Sequence, residues 1–212
     1  MKIFYTKIVR SILIFTTLFI SCIAIYFDFE PLNKPVLAIL YFSFFIISIY
    51  FWQKNIFQPL FLSIQKIGLI IFSVIIFFHV ITFYICHKFG TSPIDVSQQY
   101  VSFLNLDLNF LFVKPFEVGF QQVLIVFLAY TLYSQKIKLR NILIIFVIFF
   151  GLLHCLLIQK LDIKIALYFI IFATLFAWIF PFLILKIRGG IWWSFAVHLF
   201  FYDFSAILFW FL

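Results

Sequence analysis

Residues 163–185 read IKIALYFIIFATLFAWIFPFLIL, with Lys164 as the only charged side chain. A helix needs about 20 mostly apolar residues to cross the hydrocarbon core of a bilayer. The apolar run is continuous, whereas the strands of a membrane barrel alternate apolar and polar residues. This stretch therefore predicts a membrane-spanning α-helix.

The rest of the chain has the same apolar character. Of its 212 residues, 67% are hydrophobic and only 10% are charged. A soluble domain usually has about 45–50% apolar and about 25% charged residues. This composition excludes a soluble enzyme, a disordered chain and a nucleic-acid-binding protein, although the net charge is +8. We therefore expect a membrane protein whose apolar segments lie in a lipid bilayer.

Seven apolar stretches are long enough to be spans: residues 11–27, 35–52, 67–86, 116–133, 141–158, 163–185 and 191–212. We therefore expect an all-α, polytopic transmembrane helix bundle that forms one domain over residues 1–212. The first stretch has basic residues before it and no clear cleavage site, so we interpret it as an uncleaved signal anchor. The long connection, residues 88–115, alternates near residues 101–111 and predicts a short interfacial helix there.

Basic residues are distributed unevenly between the connections, which sets the expected orientation. With the N-terminus inside, ten of the 15 basic residues and none of the seven acidic residues fall in inner segments. The inner residues are Lys2, Lys7, Arg10, Lys54, Lys66, Lys136, Lys138, Arg140, Lys186 and Arg188. The outer side then receives the C-terminus and Lys34, Lys88, Lys114, Lys160 and Lys164.

A few ionisable side chains lie inside the predicted spans, where such groups are costly and often functional. Glu117 lies at the start of the fourth span, two residues after Pro115, and Gln121 follows four residues later on the same helical face. His154 lies in the fifth span, at the end of the sequence Phe-Gly-Leu-Leu-His. His79 lies in the middle of the third span and has no partner in the sequence, so we interpret it as structural.

The last span contains His198, followed by Tyr202 and Asp203 four and five residues later. Four residues return almost to the same helical face, whereas five turn about 140° away. We expect Glu117, His154 and His198 to share one polar cavity. A carboxylate near an imidazole can activate water, while a second imidazole polarises a carbonyl oxygen. Two histidines and a glutamate are also a known zinc ligand set, so a divalent metal is the alternative interpretation.

These motifs, in this order, resemble the CPBP family of intramembrane proteases, which includes the CAAX proteases and bacteriocin-processing enzymes. That family carries Glu-Glu-x-x-x-Arg, then Phe-x-x-x-His, then His-x-x-x-Asn or Asp on successive helices. Phe150 and His154 match the second motif. His198 begins the third, with Tyr202 at the Asn position and Asp203 one residue beyond it.

The first motif departs from the family pattern. Aligning Val-Gly-Phe, residues 118–120, places Glu117 at the second glutamate and Gln121 at the arginine. A shift by one residue makes Glu117 the first glutamate and puts Gln122 at the arginine. In either register Glu117 is the available carboxylate.

The resemblance covers residues 114–212 and implies an endopeptidase in a bacterial cytoplasmic membrane, acting on a membrane-anchored or exported protein or peptide. Glu117 and His154 would activate a water, and His198, with Tyr202 or Asp203, would stabilise the oxyanion. The expected access is from the outer leaflet, with residues 88–115 as a partial cover. The alternatives are an inactive relative with an immunity or scaffold role and, less favoured, a small transporter.

Overall fold

A computed structural model describes residues 35–52, 65–89, 108–159 and 161–211, together with four residues before Pro35. Nearly all of this part of the chain is helical. These ranges contain six α-helices, one 3₁₀ turn and no strand. The helices are α1 (Pro35–Trp52), α2 (Gln65–Phe89), α3 (Leu108–Ser134), α4 (Leu139–Cys155), α5 (Ile163–Lys186) and α6 (Gly190–Phe211), and the 3₁₀ turn is Leu156–Gln159. The predicted all-α class is confirmed for these residues.

Five of the helices, α2 to α6, are long and apolar enough to cross a membrane, with stretches of 20 to 25 residues. They indicate an integral membrane protein. In α1, whose bounds agree with the predicted second span, the described apolar stretch Ala38–Tyr50 is shorter. Apart from single residues, the first predicted span lies outside the described part, so the count of seven and the side of the N-terminus stay predictions.

The central helix is α3. In its most apolar window 61% of the residues are buried, against 22–44% in the other four spans. Residues 124–129 are buried on every side, which is the pattern of a helix enclosed by others. Around it, α1 packs along α3, α2 packs against α6, α4 packs against α5, and both α5 and α6 contact α3. The described part of the bundle is thus built around α3.

The start of α3 differs from the sequence-based prediction. Pro115 indicated a helix start at Phe116, but the helix begins at Leu108 and contains Pro115. The prediction of an interfacial helix is therefore wrong for residues 108–111, and residues 101–107 lie outside the described part. Lys114, assigned above to the outer side, instead lies within α3 and is only 3% exposed.

Short turns join α3 to α4 and α5 to α6 and make successive helices antiparallel. In the first turn, Lys136 has a left-handed φ of 59°. In the second, Gly189 has a φ of 75°, and a Cβ on Gly190 would overlap the carbonyl oxygen of Leu183. The glycine pair therefore permits a turn that larger residues would strain. Five basic residues, Lys136, Lys138, Arg140, Lys186 and Arg188, lie in or beside these two turns, at the end predicted to be inner.

Candidate functional site

A small cavity lies between α3, α4, α5 and α6, with a volume of about 40 Å³. Its polar walls are Gln121 from α3, His154 from α4, and His198 and Tyr202 from α6, and the rest of its lining is apolar. A water needs about 10–15 Å³ of such space and two to four polar partners. The cavity therefore has the size and the polar groups to hold at least one water molecule.

The hydrogen bonds of His154 define its tautomer. Its Nδ1 lies 2.9 Å from the carbonyl oxygen of Phe150, one turn earlier in α4. A carbonyl oxygen only accepts hydrogen bonds, so Nδ1 carries the proton. In the neutral imidazole, Nε2 then carries the lone pair. His154 thus has the form of a proton acceptor.

His198 has the opposite tautomer. Its Nδ1 lies 2.8 Å from the amide nitrogen Nε2 of Gln122, which is buried. An amide NH₂ group only donates, so Nδ1 accepts and the ring proton of the neutral imidazole lies on Nε2. Tyr202 stacks on the imidazole of His198, with ring centres 5.5 Å apart. His198 thus has the form of a hydrogen-bond donor.

Glu117 is buried beside the cavity but is not part of its lining. Its Oε2 lies 2.6 Å from Lys114 Nζ, and its Oε1 accepts a hydrogen bond of 2.9 Å from Gln121 Nε2. Lys114 Nζ also lies 4.5 Å from the ring centre of Tyr202. Glu117 therefore reaches the cavity through Gln121, and the Lys114 ammonium lies between Glu117 and the Tyr202 ring.

Asp203 lies away from His198 and is paired with His79. Asp203 Oδ1 is 2.5 Å from His79 Nδ1, and both side chains are at most 1% exposed. The spacing of five residues in α6 explains why Tyr202 faces His198 whereas Asp203 does not. The structure thus brings together Gln121, His154, His198 and Tyr202, with Glu117 behind Gln121, and places Asp203 elsewhere.

The other ring nitrogen of His79 contacts α3 at its proline. His79 Nε2 lies 3.2 Å from the carbonyl oxygens of both Phe110 and Leu111. In a regular helix the Leu111 carbonyl would accept from the N–H four residues later, but that residue is Pro115, which has no N–H. His79 therefore supplies a donor that Pro115 cannot, in a membrane helix where an unsatisfied carbonyl is costly. This bond explains how α3 continues through Pro115.

Among the residues that the structure describes, no three His, Cys, Asp or Glu side chains are arranged to hold a metal ion. The two carboxylate oxygens of Glu117 are bonded to the Lys114 ammonium and the Gln121 amide. No carboxylate is among the described residues that line the cavity beside His154 and His198. The ligand set of two histidines and Glu117 is therefore not assembled in this geometry.

Sequence reasoning missed three partners in this region: His79, Lys114 and Gln122. His79 carried a usable signal, because an ionisable group at membrane depth needs a partner and Asp203 is the buried carboxylate that meets it. Lys114 lies three residues before Glu117, which is helical neighbour spacing, but the predicted helix start at Phe116 concealed it. Gln122 is adjacent to Gln121 and was weighed only as a position in the first motif.

Comparisons of the chain with protein-family models, with curated proteins and with solved structures find no match.

Proposed function

We propose that the protein is an intramembrane endopeptidase of the CPBP type in a bacterial cytoplasmic membrane, with seven spans and its N-terminus inside. One observation carries the proposal: two imidazoles of opposite tautomer, His154 and His198, line one water-sized cavity. Hydrolysis of a peptide bond needs both an acceptor for a proton of water and a donor for the carbonyl oxygen. The substrate is a membrane-anchored or exported protein or peptide.

The reaction follows from the two tautomers. Nε2 of His154 accepts a proton while the water oxygen bonds to the scissile carbonyl carbon. The negative charge that forms on the carbonyl oxygen is stabilised by the Nε2–H of His198, beside Tyr202. The His154 imidazolium then returns its proton to the amide nitrogen as the C–N bond breaks, so a carboxylic acid and an amine result.

Glu117 acts as a positioning residue in this proposal. It fixes the amide of Gln121 by accepting from its Nε2, which leaves the Gln121 amide oxygen to accept from the water. Lys114 balances the charge of Glu117 and supplies the cation that the family motif has as an arginine. The two neighbours stabilise a carboxylate that would otherwise be buried without compensation.

A non-enzymatic membrane protein with an immunity or scaffold role is the second candidate. The specific observation favouring it is that both carboxylate oxygens of Glu117 already have partners, Lys114 and Gln121. In this candidate, Glu117 only stabilises α3 and takes no part in a reaction. The two candidates therefore differ in whether the folded wild type cleaves a peptide bond at all, and in whether Glu117 matters for anything besides stability.

The double variant Lys114→Met, Glu117→Leu is expected to lose about tenfold or more of its cleavage while remaining folded, because Gln121 Nε2 then has no acceptor at position 117. Removing both charges leaves no unpaired buried charge, whereas replacing Glu117 alone strands the Lys114 ammonium. Cleavage would be measured as release of soluble reporter from a panel of fusions, each with one apolar membrane anchor, co-expressed with the wild type or the variant. Thermal unfolding in detergent reports folding.

The matched control is Lys114→Met, Glu117→Gln, which removes the same two charges but keeps an amide oxygen that can accept from Gln121 Nε2. We expect it to retain more cleavage than Lys114→Met, Glu117→Leu. Full cleavage by the leucine variant would show that Glu117 only balances Lys114 and would remove it from the mechanism. If the folded wild type releases no reporter from any anchor, the non-enzymatic candidate is favoured.

A further inference from the structure

A second and larger cavity, of about 390 Å³, lies between α1, α2, α3 and α6. Its walls are apolar apart from the amide of Gln122 and the indole N–H of Trp192. Volumes of about 300–1,000 Å³ with mostly apolar walls and a few polar groups are typical of ligand sites. The size and lining suit a ligand with apolar groups and very few polar ones.

This cavity opens at the side of the bundle. Phe112 and Phe116, which line it, are 55% and 40% exposed within a span of α3. In the described part, α1 packs against α3 and α2 packs mainly against α6, while α1 and α2 do not pack closely on each other, so the cavity lies between two separated helices. In the bilayer that these spans indicate, such an opening admits a ligand sideways from the lipid.

Gln122 connects this cavity to the candidate active site. It is 3% exposed, and its Nε2 donates to His198 Nδ1 at 2.8 Å. Its Oε1 is buried and has no hydrogen-bond partner among the described residues, and a ligand in the cavity reaches it when the Gln122 side chain or its neighbours shift. A buried acceptor without a donor costs free energy until a ligand supplies one. The ligand therefore needs an N–H or O–H beside its apolar groups.

We propose that this cavity, called here the lateral cavity, holds apolar side chains of an unwound segment of the peptide substrate, and that one peptide N–H of that segment donates to Gln122 Oε1. The inference rests on the proposed function and names how its substrate is held. In a membrane helix every N–H is bonded internally, so only an unwound segment can donate. Glycerophospholipids carry such donors only in their headgroups, at the membrane surface, whereas Gln122 lies in the middle of the α3 span, which favours a peptide over a lipid.

The geometry gives this contact a catalytic consequence. Gln122 holds the tautomer of His198 through one end of its amide and binds the substrate backbone through the other. A peptide bonded to Oε1 therefore lies within one amide group of the imidazole that stabilises the oxyanion. Unwinding exposes N–H groups at a cost, and the bond to Gln122 offsets part of it where cleavage occurs.

The test uses the full chain in phosphatidylcholine vesicles and a peptide of Leu, Val and Phe that carries one photoreactive leucine. We expect light to attach the peptide to the walls of the lateral cavity, as mapped by mass spectrometry. Unlabelled parent peptide should compete about three- to tenfold better than the same peptide methylated at its backbone nitrogens, because methylation removes the donors. In Gln122→Leu the two competitors should be equal.

A second pair of variants separates filling of the cavity from general disturbance. The nearest side-chain atom to an added Cβ is 3.6 Å away at both Gly119, which lines the lateral cavity, and Gly151, which does not. Gly119→Leu should therefore reduce labelling about tenfold, and Gly151→Leu should leave it unchanged. Two results would overturn the inference: equal competition by the methylated and the parent peptide on the wild type, or unchanged labelling of the cavity walls in Gly119→Leu.

The same samples distinguish this inference from the proposed function. Hydrolysis of the peptide with no attachment to the cavity walls would contradict the lateral cavity as a substrate site but leave the endopeptidase standing. Attachment with no hydrolysis by the wild type would contradict the endopeptidase. A photoreactive phosphatidylcholine that labels the same walls and is not displaced by peptide would assign the cavity to lipid and overturn the inference.

Discussion

Replacing His154 by alanine is expected to lower the rate of peptide cleavage by about 10²–10⁴-fold, the usual contribution of a general base. The variant removes the imidazole that accepts the proton of water, and the cavity of about 40 Å³ becomes larger and less polar. Replacing His198 by alanine should cost about 10²–10³-fold, since it removes one donor to the oxyanion. Rates would be measured with purified variants and the reporter substrate released most efficiently by the wild type.

The matched control is His87→Ala, since His87 is exposed at the end of α2 and stacks on Phe83, away from both cavities. It should cleave at the wild-type rate. The conservative variant His198→Gln, which keeps a donor group, should recover part of the loss. Wild-type rates in both His154→Ala and His198→Ala would contradict the assignment of the cavity as the catalytic site.

The second large effect concerns stability. Asp203→Ala is expected to lower the free energy of unfolding by about 1–3 kcal/mol, because it leaves His79 Nδ1 buried without its partner. His79 connects α6 to the carbonyls of α3 that precede Pro115, so its displacement also disturbs α3. The measurement is thermal unfolding of the purified protein in detergent, followed by loss of the monodisperse elution peak.

Ser194→Ala is the matched control for this variant. Ser194 lies in the same helix and is equally buried, but its hydroxyl donates only to the Ile191 carbonyl of that helix at 2.9 Å. It should change stability much less. The double variant His79→Phe, Asp203→Leu should lose less stability than the sum of its two single variants, because the two residues are in contact. Strict additivity would show that the pair is not coupled.

The fold was predictable where its cause is local. Continuous apolar runs determine where the spans lie. The ends of α1 and α5 and the position of the α5–α6 turn agree within a few residues with the bounds predicted from the sequence. The different directions of Tyr202 and Asp203, about 100° apart around the helix axis, also followed from helical geometry alone. These features depend on residues that are close together along the chain.

The start of α3 was not predictable in this way. Pro115 normally ends or begins a helix, and α3 passes through it because His79, on another helix, supplies a donor to Leu111. The earlier start also places Glu117 well inside the helix, more than two turns after its first residue. A tertiary contact therefore decided a local boundary.

The pairings of the site depend on distant residues too. His79 and Asp203 are separated by 124 positions, and Gln122 and His198 by 76. Without homologous sequences to show which positions vary together, their contact cannot be read from one chain. What the sequence did supply was the set of polar residues inside the spans, four of which line the small cavity.

The proposed reaction requires that His154 and His198 present opposite tautomers to one cavity. Solid-state NMR of the protein labelled with ¹⁵N at its four histidines, with His154→Ala and His198→Ala for assignment, measures it directly, since protonated and unprotonated ring nitrogens differ in chemical shift. We predict that His154 carries its proton on Nδ1 and His198 on Nε2. The same tautomer at both residues, or the two assignments reversed, would rule out His154 as the proton acceptor and His198 as the donor to the oxyanion.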